Sequence, residues 1–182
     1  MHTNLKTIVK FKPCSDGITK LMNNLGHKCN KYNWVDVYIS LSKEQQTKDI
    51  DFKFILESNG VKDTFWGLRT QPEKIRMLIG ADVAESVLHI YEKQYPNDNR
   101  MRDYIQGIRD FCNGKITQKR LNVLKQDAYD AVHDAAAAYD AAYDTAVVVA
   151  AVASDAYAIV YAVYIDHKEQ WKKNEEILLK YI

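Results

Sequence analysis

Glycine and proline are scarce in this chain and absent from its last third. Only seven Gly and three Pro occur in 182 residues, and none lies beyond Gly114. With no residue suited to breaking a helix, the stretch from Lys115 to Ile182 reads as helical throughout. Cysteine is also sparse: Cys14, Cys29 and Cys112 are odd in number and show no paired spacing. That excludes a disulfide framework and fits a reducing cytoplasm. No secretory h-region follows Met1, so cytoplasmic residence is the expectation. Alternation of period two is missing after Phe11, which excludes a sheet-based fold and predicts the all-α class. Phosphate loop, GxSxG elbow and HExxH pair are all lacking, and no cofactor is expected.

What is present is an alanine-, tyrosine- and aspartate-rich run from Asp127 to Asp166. Alanine has the highest helix propensity because it loses no side-chain entropy and buries no polar group. Counting about 100° per residue from Asp127, Ala131, Ala135, Ala138, Ala142 and Ala153 fall in one stripe at about 20–80°. Tyr129, Tyr139, Tyr143, Tyr157, Tyr161 and Tyr164 flank it at about 100–200°. The seven Asp, including Asp130, Asp134, Asp140 and Asp144, occupy the rest at about 220–360°. The segment therefore carries a small-residue seam, a tyrosine flank and an acidic ridge. A single rod from 115 to 182 would run about 100 Å, too long for a compact chain, so a kink or hairpin is predicted. Asp144-Thr145, Ser154-Asp155 and Asp166-His-Lys-Glu169 offer capping side chains for such a break.

Charge is unevenly spread. Residues 121–182 hold 5 Lys/Arg against 10 Asp/Glu, and residues 1–120 hold 20 against 14. No Lys or Arg occurs between Gln126 and His167. The two halves could neutralise each other, or the ridge could face a basic partner. Basic residues of the first half are scattered, apart from Arg100, Arg102 and Arg109, and the pI is near neutral, so direct nucleic-acid binding is not expected. The apolar stretch 146–165 is long enough to span a bilayer, but Asp155 at its centre argues against insertion.

In chain order, Thr3–Lys12 alternates weakly and reads as an extended lead-in. Six helices are predicted to follow before the terminal segment. The first starts after Pro13 and closes on Gly26, burying Ile18, Leu21 and Met22. Asn33 caps the second, with Trp34, Val37, Tyr38 and Leu41 inward. The third spans 49–59 and ends at Gly60; the fourth starts at Asp63. Pro72 opens the fifth, whose Ile75, Ile79, Val83, Val87, Tyr91 and Tyr95 recur at i+4 up to Pro96. Asn97 or Asp98 opens the sixth, closed by Gly114, and Thr117 starts the terminal segment. Residues 1–114 and 115–182 are thus two helical halves of one domain, a bundle of shorter helices on a long Ala-rich segment.

Candidate chemistry is thin. Cys14, His27 and Cys29 are soft ligands, but their spacing is not that of a zinc finger or ribbon. His133 stands one turn from Asp130 and beside Asp134, yet a histidine on a polar helix face is more often solvated than catalytic. Asp130 with Asp134, and Asp140 with Asp144, are i+4 carboxylate pairs that would need ligands from elsewhere to hold a metal. Like charges at i+4 are mildly destabilising, which asks for a reason.

Several pieces resemble the alanine-rich putative immunity protein family of bacterial toxin cassettes and phage genomes. They are Lys12-Pro-Cys14 with Gly17; Leu56–Gly60 followed by Asp63, Trp66 and Leu68-Arg69; Ala84–Glu92; and Tyr95-Pro-Asn-Asp98 with Arg100. The Ala/Asp/Tyr run and Trp171 complete the order. The resemblance implies a small cytoplasmic protein that binds and neutralises another protein, whether a toxin or a host defence enzyme. It assigns no functional residues, and the chain departs from it in a Val-rich stretch at 146–153. The surface read for binding is Asp130, Asp134, Asp140 and Asp144 with Tyr139 and Tyr143, since opposite potentials speed encounter and tyrosines anchor interfaces. Competing readings are a phage structural module that dimerises through the Ala seam, and a helical enzyme with a carboxylate metal site.

Overall fold

A computed structural model gives the fold and describes residues 1–137 and 168–182. The class is all-α, with ten α-helices and a two-stranded sheet among the described residues. The chain divides into two compact units, one of Met1–Gln71 with Leu179–Ile182 and one of Pro72–Leu178.

The first unit begins with β1 (His2–Thr3), which pairs antiparallel with β2 (Ile50–Asp51), Thr3 opposite Ile50. Of the extended lead-in expected over Thr3–Lys12 only Thr3 lies in the strand, because the helix α1 (Leu5–Lys10) follows at once. Asn4 is the reason: its Oδ1 accepts from the Thr7 N–H at 2.8 Å, capping a turn whose Leu5 and Ile8 are buried at i, i+3. The helix α2 (Ser15–Asn24) buries Ile18, Leu21 and Met22 as the spacing predicts. Its cap is Cys14, the Sγ accepting from the Gly17 N–H at 3.3 Å. Gly26, at φ 90°, takes the left-handed position after its end.

In α3 (Trp34–Ser40) the expected inward set is not buried. Trp34, Val37, Tyr38 and Leu41 are half-buried, and Ile39 is 68% exposed. Asn33 precedes the helix, but its side chain accepts from the Asn30 N–H instead of capping α3. The short α4 (Lys43–Thr47) escaped prediction although Ser42 and Gln45 form a complete capping box. Its KEQQT sequence has no apolar residue to give a helical period. Asp51 caps α5 (Phe52–Asn59), so this helix starts three residues later than expected, the preceding residues being taken by the sheet. Gly60, at φ 88°, ends α5 and opens α6 (Val61–Gly67), followed by a 3₁₀ turn over Leu68–Thr70. The core here is Leu5, Ile8, Ile18, Met22, Phe52, Ile55, Phe65 and Leu68.

The second unit is built on α7 (Glu73–Gln94), α8 (Arg100–Cys112) and α9 (Gln118–Ala137), with α8 packed against both neighbours. In α7 the i+4 row is buried at Ile79, Val83, Val87 and Tyr91, and half-buried at its ends, Ile75 and Tyr95. Ala81, Ala84 and Leu88 widen that row. Met101, Tyr104, Ile105 and Ile108 line the buried side of α8. Gly107 lies against Leu121 and Leu124 of α9, and a Cβ there would collide with a Leu124 methyl. Leu121, Leu124, Ala128 and Ala131 form the buried stripe of α9. Ala131 belongs to the seam read from the sequence, and the Leu and Ala residues before it extend that seam toward the helix start.

The last helix, α10 (Lys168–Leu179), buries Asn174, Ile177 and Leu178. The predicted breaks at Asp144, Ser154 and Asp166 lie outside the described residues, as does the apolar stretch 146–165. No helix among the described residues is long and apolar enough to cross a membrane.

Candidate functional site

The acidic ridge begins on α9, opposite its buried stripe. Asp130 and Asp134 are both exposed, and the Asp134 side chain is 67% accessible. Asp130 accepts a hydrogen bond from Gln126 Nε2 at 2.9 Å. Tyr129 beside them is half-buried, with Lys125 Nζ 5.7 Å from its ring centroid. Tyr139, Asp140, Tyr143 and Asp144 lie outside the described residues.

Asp134 does not stand alone. Arg100, the first residue of α8, donates to its Oδ2 from a terminal guanidinium nitrogen at 2.8 Å. The same nitrogen donates to Asp98 Oδ2 at 2.6 Å, and Nε reaches both Asp98 oxygens at 3.0 and 3.1 Å. Asp98 also accepts from the Arg100 backbone N–H at 3.0 Å, closing an Asx turn at the start of α8. On its other side the buried Tyr91 hydroxyl donates to Asp98 Oδ2 at 2.8 Å. The result is a chain of bonds, Tyr91 to Asp98 to Arg100 to Asp134, that joins α7, the α7–α8 turn, α8 and α9.

Its electrostatics follow from that order. The Arg100 guanidinium, working against burial and helped by the Tyr91 hydroxyl, holds the Asp98 carboxyl down to about 2. Bonding to Asp98 and then Asp134 raises Arg100 above the ordinary arginine range, burial opposing. Burial first, then the bond to Asp98 and its charge, push the Tyr91 hydroxyl up. Asp98 and Arg100 are therefore a permanent ion pair, and Tyr91 a permanent donor, at any physiological pH.

The other two arginines of α8 are spent in the same way. Arg109 donates to Asp82 at 2.8 Å and to Glu85 at 2.6 and 3.0 Å, and Arg102 Nε to Glu92 at 2.7 Å. These three acids lie on α7 and Asp98 in the turn after it, so the small basic cluster of the sequence is a set of ties along the α7–α8 seam. Asp82 and Glu85, three apart, face Arg109 from one side of α7. The sequence held the signal for these ties in that spacing. Tyr91 was hidden among the apolar i+4 row, where its ring belongs but its hydroxyl does not.

The α7–α8 turn bounds a shallow, open surface depression lined by Gln94, Tyr95, Pro96, Asn97, Asp98 and Arg100. The Tyr95 ring packs on Tyr91, with centroids 5.0 Å apart. Among the described residues no three His, Cys, Asp or Glu side chains group as metal ligands. Cys14 is exposed and Cys29 partly so, the latter raised by burial, its Sγ 3.9 Å from the Thr19 carbonyl. His133 lies on α9, between Asp130 and Asp134 in sequence.

No curated protein and no solved structure matches the chain. The sequence model of the Imm-5 like putative immunity proteins matches residues 68–165, which contain α7, α8, α9 and every member of the bond network. Of the pieces that carry the resemblance, Ala84–Glu92 and Tyr95–Asp98 with Arg100 fall inside this match. Those at Lys12–Cys14 and Leu56–Gly60 precede it. With more than half its length matched, the chain belongs to the family of Imm-5 like putative immunity proteins.

Proposed function

We propose that this protein is a stoichiometric inhibitor that binds a basic protein target, a toxin or a host defence enzyme, in the cytoplasm. Its docking surface is the acidic face opening on α9 at Asp130 and Asp134 and continuing in sequence through Tyr139, Asp140, Tyr143 and Asp144. One observation carries the reading. Asp134 keeps most of its side chain in water although an arginine of the preceding helix reaches it. A ridge serving only to neutralise the basic first half would be covered by it. Family membership supports a protein target, and exposed carboxylates in a stretch devoid of Lys and Arg support a basic one.

The test is co-expression with a toxin encoded beside the gene, followed by purification of the pair. Wild-type protein is expected to protect the cell and co-purify with the toxin at equal stoichiometry. Asp130→Lys with Asp140→Lys and Asp144→Lys is expected to abolish both while the purified variant still unfolds cooperatively. Protection that survives the triple reversal would refute this surface.

A further inference from the structure

Two Asn-Gly pairs occur in the chain, Asn59-Gly60 and Asn113-Gly114. In such a pair the glycine nitrogen can attack the asparagine side-chain amide, because no Cβ shields its approach. The two pairs are alike in backbone. Each ends a helix, with the Gly60 N–H donating to the Leu56 carbonyl and the Gly114 N–H to the Phe111 carbonyl, both at 2.9 Å. Both glycines have positive φ, 88° and 71°. What differs is the asparagine side chain. Asn59 is half-buried where α5 meets α2 and α6. Its Nδ2 donates to the Gly17 carbonyl at 2.9 Å and to Asp63 Oδ2 at 2.8 Å, and its Oδ1 accepts from the Ser58 hydroxyl at 2.9 Å. The amide that would have to turn toward Gly60 is held at both of its ends. Asn113 caps α8, and it is exposed together with Gly114 and Lys115. Its side chain makes no hydrogen bond among the described residues. The last turn of a helix frays, and at this one no side-chain bond from Asn113 holds the bond between Gly114 and Phe111 closed.

We propose that Asn113 is a site of spontaneous deamidation, while the fold protects Asn59. The Gly114 nitrogen attacks Asn113 Cγ and gives up its proton, and the side-chain nitrogen leaves as ammonia. The cyclic imide so formed is opened by water at either carbonyl, giving aspartate or isoaspartate. Either product places a carboxylate at the C-terminal end of α8, where the helix dipole disfavours it. It also stands one turn from Asp110, as a like charge at i+3. Isoaspartate adds a methylene to the backbone of the connection to α9, whose Leu121 and Leu124 lie against Gly107. Ageing at this position therefore loosens the packing of α8 on α9.

The test is incubation of the full chain at mildly alkaline pH in water enriched in heavy oxygen, followed by peptide mass analysis. Cleavage after Lys and Arg leaves the two pairs in separate peptides, 54–62 and 110–115. Heavy oxygen is expected in 110–115, in an aspartate and an isoaspartate form. It should enter about tenfold or more faster there than in 54–62, because Asn59 must first give up its hydrogen bonds. In urea the two peptides should convert at similar rates, since only the fold sets them apart. Asn113→Gln should abolish the label in 110–115. Equal rates in the folded protein, a faster Asn59, or no label in 110–115 would overturn the proposal. A difference that persists in urea would overturn it as well, by tracing the contrast to neighbouring sequence.

Discussion

Asp98 is one residue through which the second unit answers to pH. Its carboxyl sits at about 2 in the folded state, against about 3.9 in an unfolded chain. The unfolded state therefore binds more protons across that interval, so stability is in full at neutral pH and falls as pH drops from about 5 toward 2. Asp98→Asn is expected to flatten the acid limb of a stability–pH curve, measured by urea midpoints between pH 5 and 2. Arg100 is the matching cation. Arg100→Met would leave Asp98 charged with only Tyr91 and backbone to answer it, and should cost about 1–3 kcal/mol, read as a lower urea midpoint at pH 7. Asp134→Asn removes one exposed partner and should cost well under that, about 0–1 kcal/mol.

Along α8 the elements meet through a bare backbone. Gly107 lets α9 approach until the Leu124 side chain lies where a Cβ would be. Gly107→Val should therefore separate α8 from α9 or force Leu124 off its rotamer, at about 1–3 kcal/mol of overpacking. Thermal unfolding would read this as a lower midpoint, and substitution at the exposed Asn113 would serve as control. These long elements were the legible part of the sequence. The i+4 row of α7 showed itself because it repeats along a long helix and buries one face; of the Ala seam, Ala131 is buried on α9. The short ones were not. A five-residue helix without an apolar residue, α4, has no period to read, and only its capping box marks it. For α3 the apolar residues misled: Trp34, Val37, Tyr38 and Leu41 share an arc of about 100°, yet none of them is fully buried. On α9, angular position sets Asp130 and Asp134 apart from the buried stripe, but it leaves open whether they face water or the basic first half; the structure shows both exposed. The Tyr91–Asp98–Arg100 chain was not legible, because hydroxyl and carboxylate come from different elements, and their meeting depends on how the α7–α8 turn closes.

At the scale of the whole molecule, the ionic ties of the described residues gather along α8, and one of them reaches the exposed Asp134 of α9. The three arginines of α8 are engaged with α7 and its turn, and of these Arg100 extends to α9. On the proposed reading, the exposed Asp130 and Asp134 meet a cation of the target, and electrostatic docking of that kind lives in the on-rate. The most direct measurement is stopped-flow association with the toxin across a salt series, for wild type and for Asp130→Asn/Asp134→Asn. The account predicts a slower on-rate for the variant, a shallower dependence on salt, and an off-rate changed much less. An on-rate and salt slope equal to wild type would contradict it.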